Sequence, residues 1–158
     1  MEINLSEIIL ELLDFIWNKN SIKPKTTYRG YYKKLKVKVI TKSNKCFHIN
    51  FYRNDQNCSV EYGIYPVINI INENSDKNIA VCYGYDKHLG KNNWNIDIIN
   101  NKNILTMKKI VCKNCSDYIL NTFTINNENE FYKNEKELLN NINQVITDFE
   151  SNLLLRKE

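Results

Sequence analysis

The chain reads as an α+β domain, a central mixed or antiparallel sheet with one helix at each end of the sequence. Two observations predict it. Apolar residues recur at helical spacing near both termini, and the middle holds short runs that alternate or are rich in β-branched and aromatic residues. The 158 residues suit a single domain with one sizeable core, so residues 1–158 are taken as one unit.

The first helix begins near Leu5, because Leu5, Ile8, Ile9, Leu12, Leu13 and Ile16 fall on one face and Asn4 with Glu7 forms a capping box. Asn18 to Thr27, with Pro24, is expected to be a loop. Lys34-Leu35-Lys36-Val37-Lys38-Val39 then alternates strictly, so Leu35, Val37 and Val39 should face the core and Lys34, Lys36 and Lys38 the outside. Further strands are expected at Phe47–Tyr52, Val60–Ile71, Asn78–Gly84, Trp94–Ile98 and Tyr118–Ile125. Residues 53–59 and 72–77 read as turns or loops. Asn100–Lys113 allows a short helix through Ile104, Leu105, Met107 and Ile110. Pro66 interrupts a strand pattern, which predicts a strand start, an edge or a bulge. The last helix carries Leu138, Leu139, Ile142, Val145, Ile146, Phe149 and Leu153 as one stripe, with a capping box expected at Asn134 and Glu137.

Charge is distributed unevenly. No acidic residue lies between Phe15 and Asn54, yet eleven of the 22 basic residues do: Lys19, Lys23, Lys25, Arg29, Lys33, Lys34, Lys36, Lys38, Lys42, Lys45 and Arg53. Tyr28, Tyr31, Tyr32, Phe47 and Tyr52 are interleaved with them. Cations among aromatics suit a polyanion whose bases can stack, so nucleic acid is the expected partner; a merely solvated basic face is the competing reading. Like charges along one strand face repel unless an anion lies across them, although an edge strand blunted by lysines shows the same pattern.

Several activities lack their motifs. The chain has no phosphate-binding Gly-x-x-x-x-Gly-Lys-[Ser/Thr] loop, no nucleophile elbow, no His-Glu-x-x-His and no deaminase signature. His48 and His88 are the only imidazoles. No catalytic role and no cofactor are therefore expected. Cys112 and Cys115 have the spacing of half a zinc site, which only Cys46 and His48 could complete. A small metal-dependent enzyme on those four residues is a further reading, and it predicts bound zinc. Five cysteines without regular spacing fit reduced thiols. The N-terminus lacks a signal-peptide pattern and no apolar run reaches the ~20 residues of a membrane span, so a cytoplasmic protein without membrane contact is expected.

Four blocks point to a family. They are Tyr28-Arg-Gly-Tyr-Tyr32-Lys-Lys-Leu35-Lys-Val37-Lys-Val39, Phe47-His48-Ile49-Asn50-Phe51, Gly63-Ile64-Tyr65-Pro66-Val67-Ile68 and Ile79-Ala80-Val81-Cys82-Tyr83-Gly84, with Trp94 downstream. In order and spacing the chain resembles the N-terminal DNA-binding domain of McrB, the GTP-dependent restriction protein that attacks DNA carrying modified cytosine. The resemblance extends to the terminal helix around Val145-Ile146-Thr147-Asp148-Phe149 and is loose from 98 to 118.

That resemblance implies a domain that everts a modified base into a pocket, with a loop residue filling the gap. Tyr65 matches a tyrosine of the family pocket. His48 stands where the family has a stacking tryptophan, and Asn69 where it has a leucine. Thr41–Cys46 matches the intercalating loop but is shorter and holds no aromatic residue. A pocket more polar than the family norm is therefore expected, formed by Tyr65, His48 and Asn69. Arg29, Lys33, Lys34, Lys36, Lys38, Lys42, Asn44, Lys45 and Arg53 are expected on the DNA backbone or in the inserted loop. Implied partners are double-stranded DNA with a modified base, an AAA+ GTPase domain and a nuclease subunit of a restriction complex. The alternative is a protein-interaction domain of a defence or phage system that keeps the fold without base recognition.

Overall fold

A computed structural model describes residues 1–18, 21–53, 64–72, 77–85, 107–108 and 116–152. The architecture is α+β. Helix α1 (Leu5–Trp17) precedes strands β1 (Thr27–Tyr32), β2 (Leu35–Ile40), β3 (Cys46–Tyr52), β4 (Ile64–Ile71), β5 (Ile79–Tyr85), β6 (Met107–Lys108) and β7 (Ser116–Phe123). Helix α2 (Glu128–Asn152) follows. The seven strands form one sheet in the order β1-β2-β3-β4-β5-β7-β6, and every described pairing between strands is antiparallel.

Both helices lie on one face of this sheet. Leu5, Ile8, Ile9, Leu12 and Leu13 of α1, and Phe131, Leu138, Ile142, Val145, Ile146 and Phe149 of α2, join Val37, Val39, Phe47, Ile49, Phe51, Ile68, Ile70, Ile79 and Val81 in one core. Cross-strand register explains the sharing, since Val37 faces Phe51, Val39 faces Ile49, Ile49 faces Ile68 and Ile68 faces Val81. Burying a Leu, Ile or Phe side chain contributes about 1.5–3 kcal/mol, which makes this layer the main source of stability.

The cap of α1 is as expected, with the Glu7 amide donating to Asn4 Oδ1 at 3.2 Å. The cap of α2 is not at Asn134. Glu130 N donates to Asn127 Oδ1 at 2.9 Å and Asn127 Nδ2 returns to Glu130 Oε1 at 3.2 Å, so the helix starts two turns earlier. Fully buried Phe131 is the apolar anchor that draws those polar turns into the helix. Asn134 lies inside it, its amide donating to the Glu130 carbonyl at 2.8 Å. Beyond β7, the buried Asn78 side chain clamps the Ile125 backbone, Oδ1 accepting from its N–H at 2.8 Å and Nδ2 donating to its carbonyl at 2.5 Å.

Edge strand β1 takes in Thr27, expected as the last residue of a loop, and Tyr28–Tyr32, for which the sequence predicts no element. It bulges between Tyr28 and Gly30, and Gly30 has φ +131, with Met1 O 2.7 Å from the place a Cβ would take. Lys33 and Lys34 form the two-residue turn into β2, both with positive φ (48 and 70). Lys34 is thus a turn residue and not a member of the outward strand face.

Pro66 sits third in interior strand β4, neither at an edge nor in a bulge. The β3 ladder ends at Asn50 and Val67, so the N–H that Pro66 lacks is not needed there, while pairing with β5 continues through Tyr83. Met107–Lys108 is a strand where a short helix was allowed. The expected strand at Trp94–Ile98, residues 60–63 of the third one, and Leu153 lie outside the described residues. Among the described residues no helix is long and apolar enough to cross a membrane.

Candidate nucleic-acid interface

The sheet face turned away from the helices carries the candidate site. Strand alternation puts Lys36, Lys38 and Ile40 of β2 there, then His48, Asn50 and Tyr52 of β3, and Tyr65, Val67 and Asn69 of β4. Register arranges them in rows across the sheet. One row runs Tyr31, Lys36, Tyr52; the next runs Tyr28, Lys38, Asn50, Val67, Cys82; a third runs Ile40, His48, Asn69, Ala80.

The β1–β2 end of this face is cationic and aromatic. Tyr28 is exposed, and Lys38 Nζ stands 5.1 Å from its ring centroid. Lys36 and Lys38 are half-buried, their stems lying on the sheet. Lys33 and Lys34 extend the charge past one end of β2. At the other end Lys42, Ser43, Asn44 and Lys45 form an exposed loop. That loop is anchored: Lys23 Nζ donates to Asn44 Oδ1 at 2.5 Å, and Asn72 donates from its amide nitrogen to the Asn44 carbonyl and from its backbone to the Lys45 carbonyl. Buried Thr41 fixes the loop's base by donating to the Pro24 carbonyl at 2.8 Å. Arg53 is half-buried just after β3.

Arg29 stands apart from this group. At the β1 bulge it turns to α1 and forms a two-point ion pair with Glu11, at 2.6 and 3.2 Å. Its guanidinium is engaged on the helix side, which removes it from the cationic outer face.

The centre of the face is apolar and polar by turns. Tyr52, Tyr65, Val67, Ala80, Cys82 and Ile119 form a second buried cluster. Tyr65 is 9% exposed. Its ring lies 5.7 Å from that of Tyr52 and crowds Gly84, where an added Cβ would come within 2.6 Å of the tyrosine ring. His48 and Asn69 are cross-strand partners, with Nδ1 and Oδ1 2.5 Å apart, and Asn69 Nδ2 reaches Cys82 Sγ at 3.8 Å. Burial lowers the pKa of His48, opposed in part by the Asn69 hydrogen bond, so the ring is neutral near pH 7.

The three expected pocket residues thus share one face, where His48 and Asn69 touch and Tyr65 stands two rows away. Asn50 and Tyr52 belong to the same face; the sequence names Tyr52 among the interleaved aromatics but points to neither residue as part of the base pocket. The signal was present in the alternation of Cys46, His48, Asn50 and Tyr52 with Phe47, Ile49 and Phe51. Of the four residues considered for zinc, Cys46 is buried beside His48 on β3, and Cys112 and Cys115 lie outside the described residues. A separate cavity of about 310 Å³ lies on the helix side, lined by Ile3, Asn4, Leu5, Ser6, Tyr32 and Leu139.

No protein-family model matches the chain, and no curated protein and no solved structure matches it either.

Proposed function

We propose that this domain binds double-stranded DNA and recognises a modified base, modified cytosine first, by everting it onto the outer sheet face. It has no catalysis of its own in this reading. It serves as the targeting part of a restriction system, alongside an AAA+ GTPase domain and a separate nuclease. The observation that carries the proposal is the placing of Tyr28, Tyr31, Lys36 and Lys38 on the same face as Tyr65, His48 and Asn69. Lysines there and at both ends of β2 would hold phosphates, giving affinity without sequence preference. Extruding a base costs a few kcal/mol of stacking and pairing, which the aromatic and amide groups at the centre would return.

Titration calorimetry with matched duplexes tests it. Tighter binding to a duplex with one modified cytosine than to its plain counterpart is expected; equal affinity for both would defeat it.

A second reading, a protein-interaction domain of a defence or phage system, draws on a specific observation. His48 and Asn69 bond to each other, and Tyr65 packs on Tyr52, as side chains of a closed face would. That reading predicts no gel shift at moderate salt with either duplex.

A further inference from the structure

Asn50 has half an amide to spare. It is 4% exposed, and its Nδ2 donates to the Tyr52 hydroxyl at 2.8 Å. Its Oδ1 is screened from solvent and has no hydrogen-bond partner among the described residues. A buried acceptor left unpaired is costly, and native structures keep few of them, so each calls for a reason. Tyr52 fixes the amide and leaves Oδ1 turned away from it.

Two residues along the same strand face, roughly 7 Å away by strand rise, is His48. Asn69 places its oxygen on His48 Nδ1 and its nitrogen towards Cys82. Nδ1 therefore carries the proton of the neutral ring, and Nε2 is left as a bare acceptor. The face thus holds two acceptors, Asn50 Oδ1 and His48 Nε2, beside the aromatic pair Tyr52 and Tyr65.

We infer that Asn50 is a specificity-determining residue, its Oδ1 acting with His48 Nε2 to accept from the exocyclic amino group of an everted base. This rests on the base-everting reading above and deepens it. An amino group donates to both acceptors, whereas a keto oxygen in its place would set lone pair against lone pair. The site then selects an amino-bearing pyrimidine over its keto counterpart, which carries an oxygen in place of the amino group and an N–H in place of the bare ring N3.

The test compares duplexes carrying 5-methylcytosine, thymine or plain cytosine at one position opposite guanine. Affinities are measured for the wild-type protein and Asn50→Leu, with Asn50→Val in its place should the leucine variant not fold. The cost of opening each pair belongs to the DNA and cancels in the ratio between proteins. Loss of one hydrogen bond should reduce the preference for 5-methylcytosine over thymine by about ten-fold in the variant. An unchanged ratio, with wild type still preferring methylated to plain cytosine, overturns the role of Asn50 and leaves the wider reading intact. Equal wild-type affinity for methylated and plain cytosine overturns both.

Discussion

His48 and Asn69 face each other across β3 and β4 and share a hydrogen bond of 2.5 Å, Nδ1 to Oδ1. The bond ties together two positions 21 residues apart in sequence and sets the imidazole tautomer on the outer face. It also sits where burial disfavours the charged ring.

That burial has a pH consequence. The folded pKa of His48 lies below the ordinary 6.5, so below that pH the unfolded chain takes up a proton more readily than the folded one. Stability should be full above pH 6.5 and decline as pH falls through it towards the folded value. Thermal melts from pH 7.5 to 5.5 check this. His48→Gln, which keeps a partner for Asn69 without titrating, should show a shallower loss; parallel curves would contradict the assignment.

Lys33 and Lys34 give a prediction with opposite signs in two assays. Both hold positive φ in the β1–β2 turn, a conformation that Asn-Gly adopts more readily. Replacing Lys33 and Lys34 by Asn and Gly should stabilise the fold by about 1 kcal/mol in urea unfolding. It should also weaken DNA binding and reduce the slope of log K against log salt by about 2, if both lysines contact phosphates of a duplex.

Lys36→Ala and Lys38→Ala should each lower affinity for methylated and plain duplexes alike, with a slope change of about 0.9 per lysine. Lys38→Ala also removes the contact with the Tyr28 ring, worth about 0.5–1 kcal/mol at an exposed site. Filter binding across a salt series separates these effects. A change confined to the methylated duplex would place the lysines in base recognition.

Gly84→Ala probes Tyr65 without replacing it. The new Cβ would meet the tyrosine ring at 2.6 Å, so the ring or the strand must shift. A cost of about 1–3 kcal/mol is expected from such overpacking. Preference for the modified duplex should fall while binding to plain DNA is kept.

The fold was legible where chemistry is local and the period is strong. Strand β2 alternates cleanly, and α1 shows both its stripe and its cap, so each followed from residue spacing. The α2 cap was misread because Asn127 with Glu130 and Asn134 with Glu137 look alike, and only buried Phe131 distinguishes them. Asn127→Ala should therefore cost about 1 kcal/mol in chemical unfolding, and Asn134→Ala clearly less. The β1–β2 hairpin escaped notice because Lys-Lys is an unusual turn pair. Pro66 misled because its tolerance inside β4 depends on where a neighbouring ladder stops, which is a tertiary fact. Arg29 read as one more cation of the basic stretch; its pairing with Glu11 depends on how α1 lies over β1.

Base eversion is the central claim, and fluorescence reports it most directly. A fluorescent base analogue placed beside the modified cytosine brightens when its stacking neighbour leaves the duplex. Saturating protein should raise the signal on the modified duplex and leave the plain duplex unchanged. Binding that saturates with no rise on the modified duplex would contradict the account.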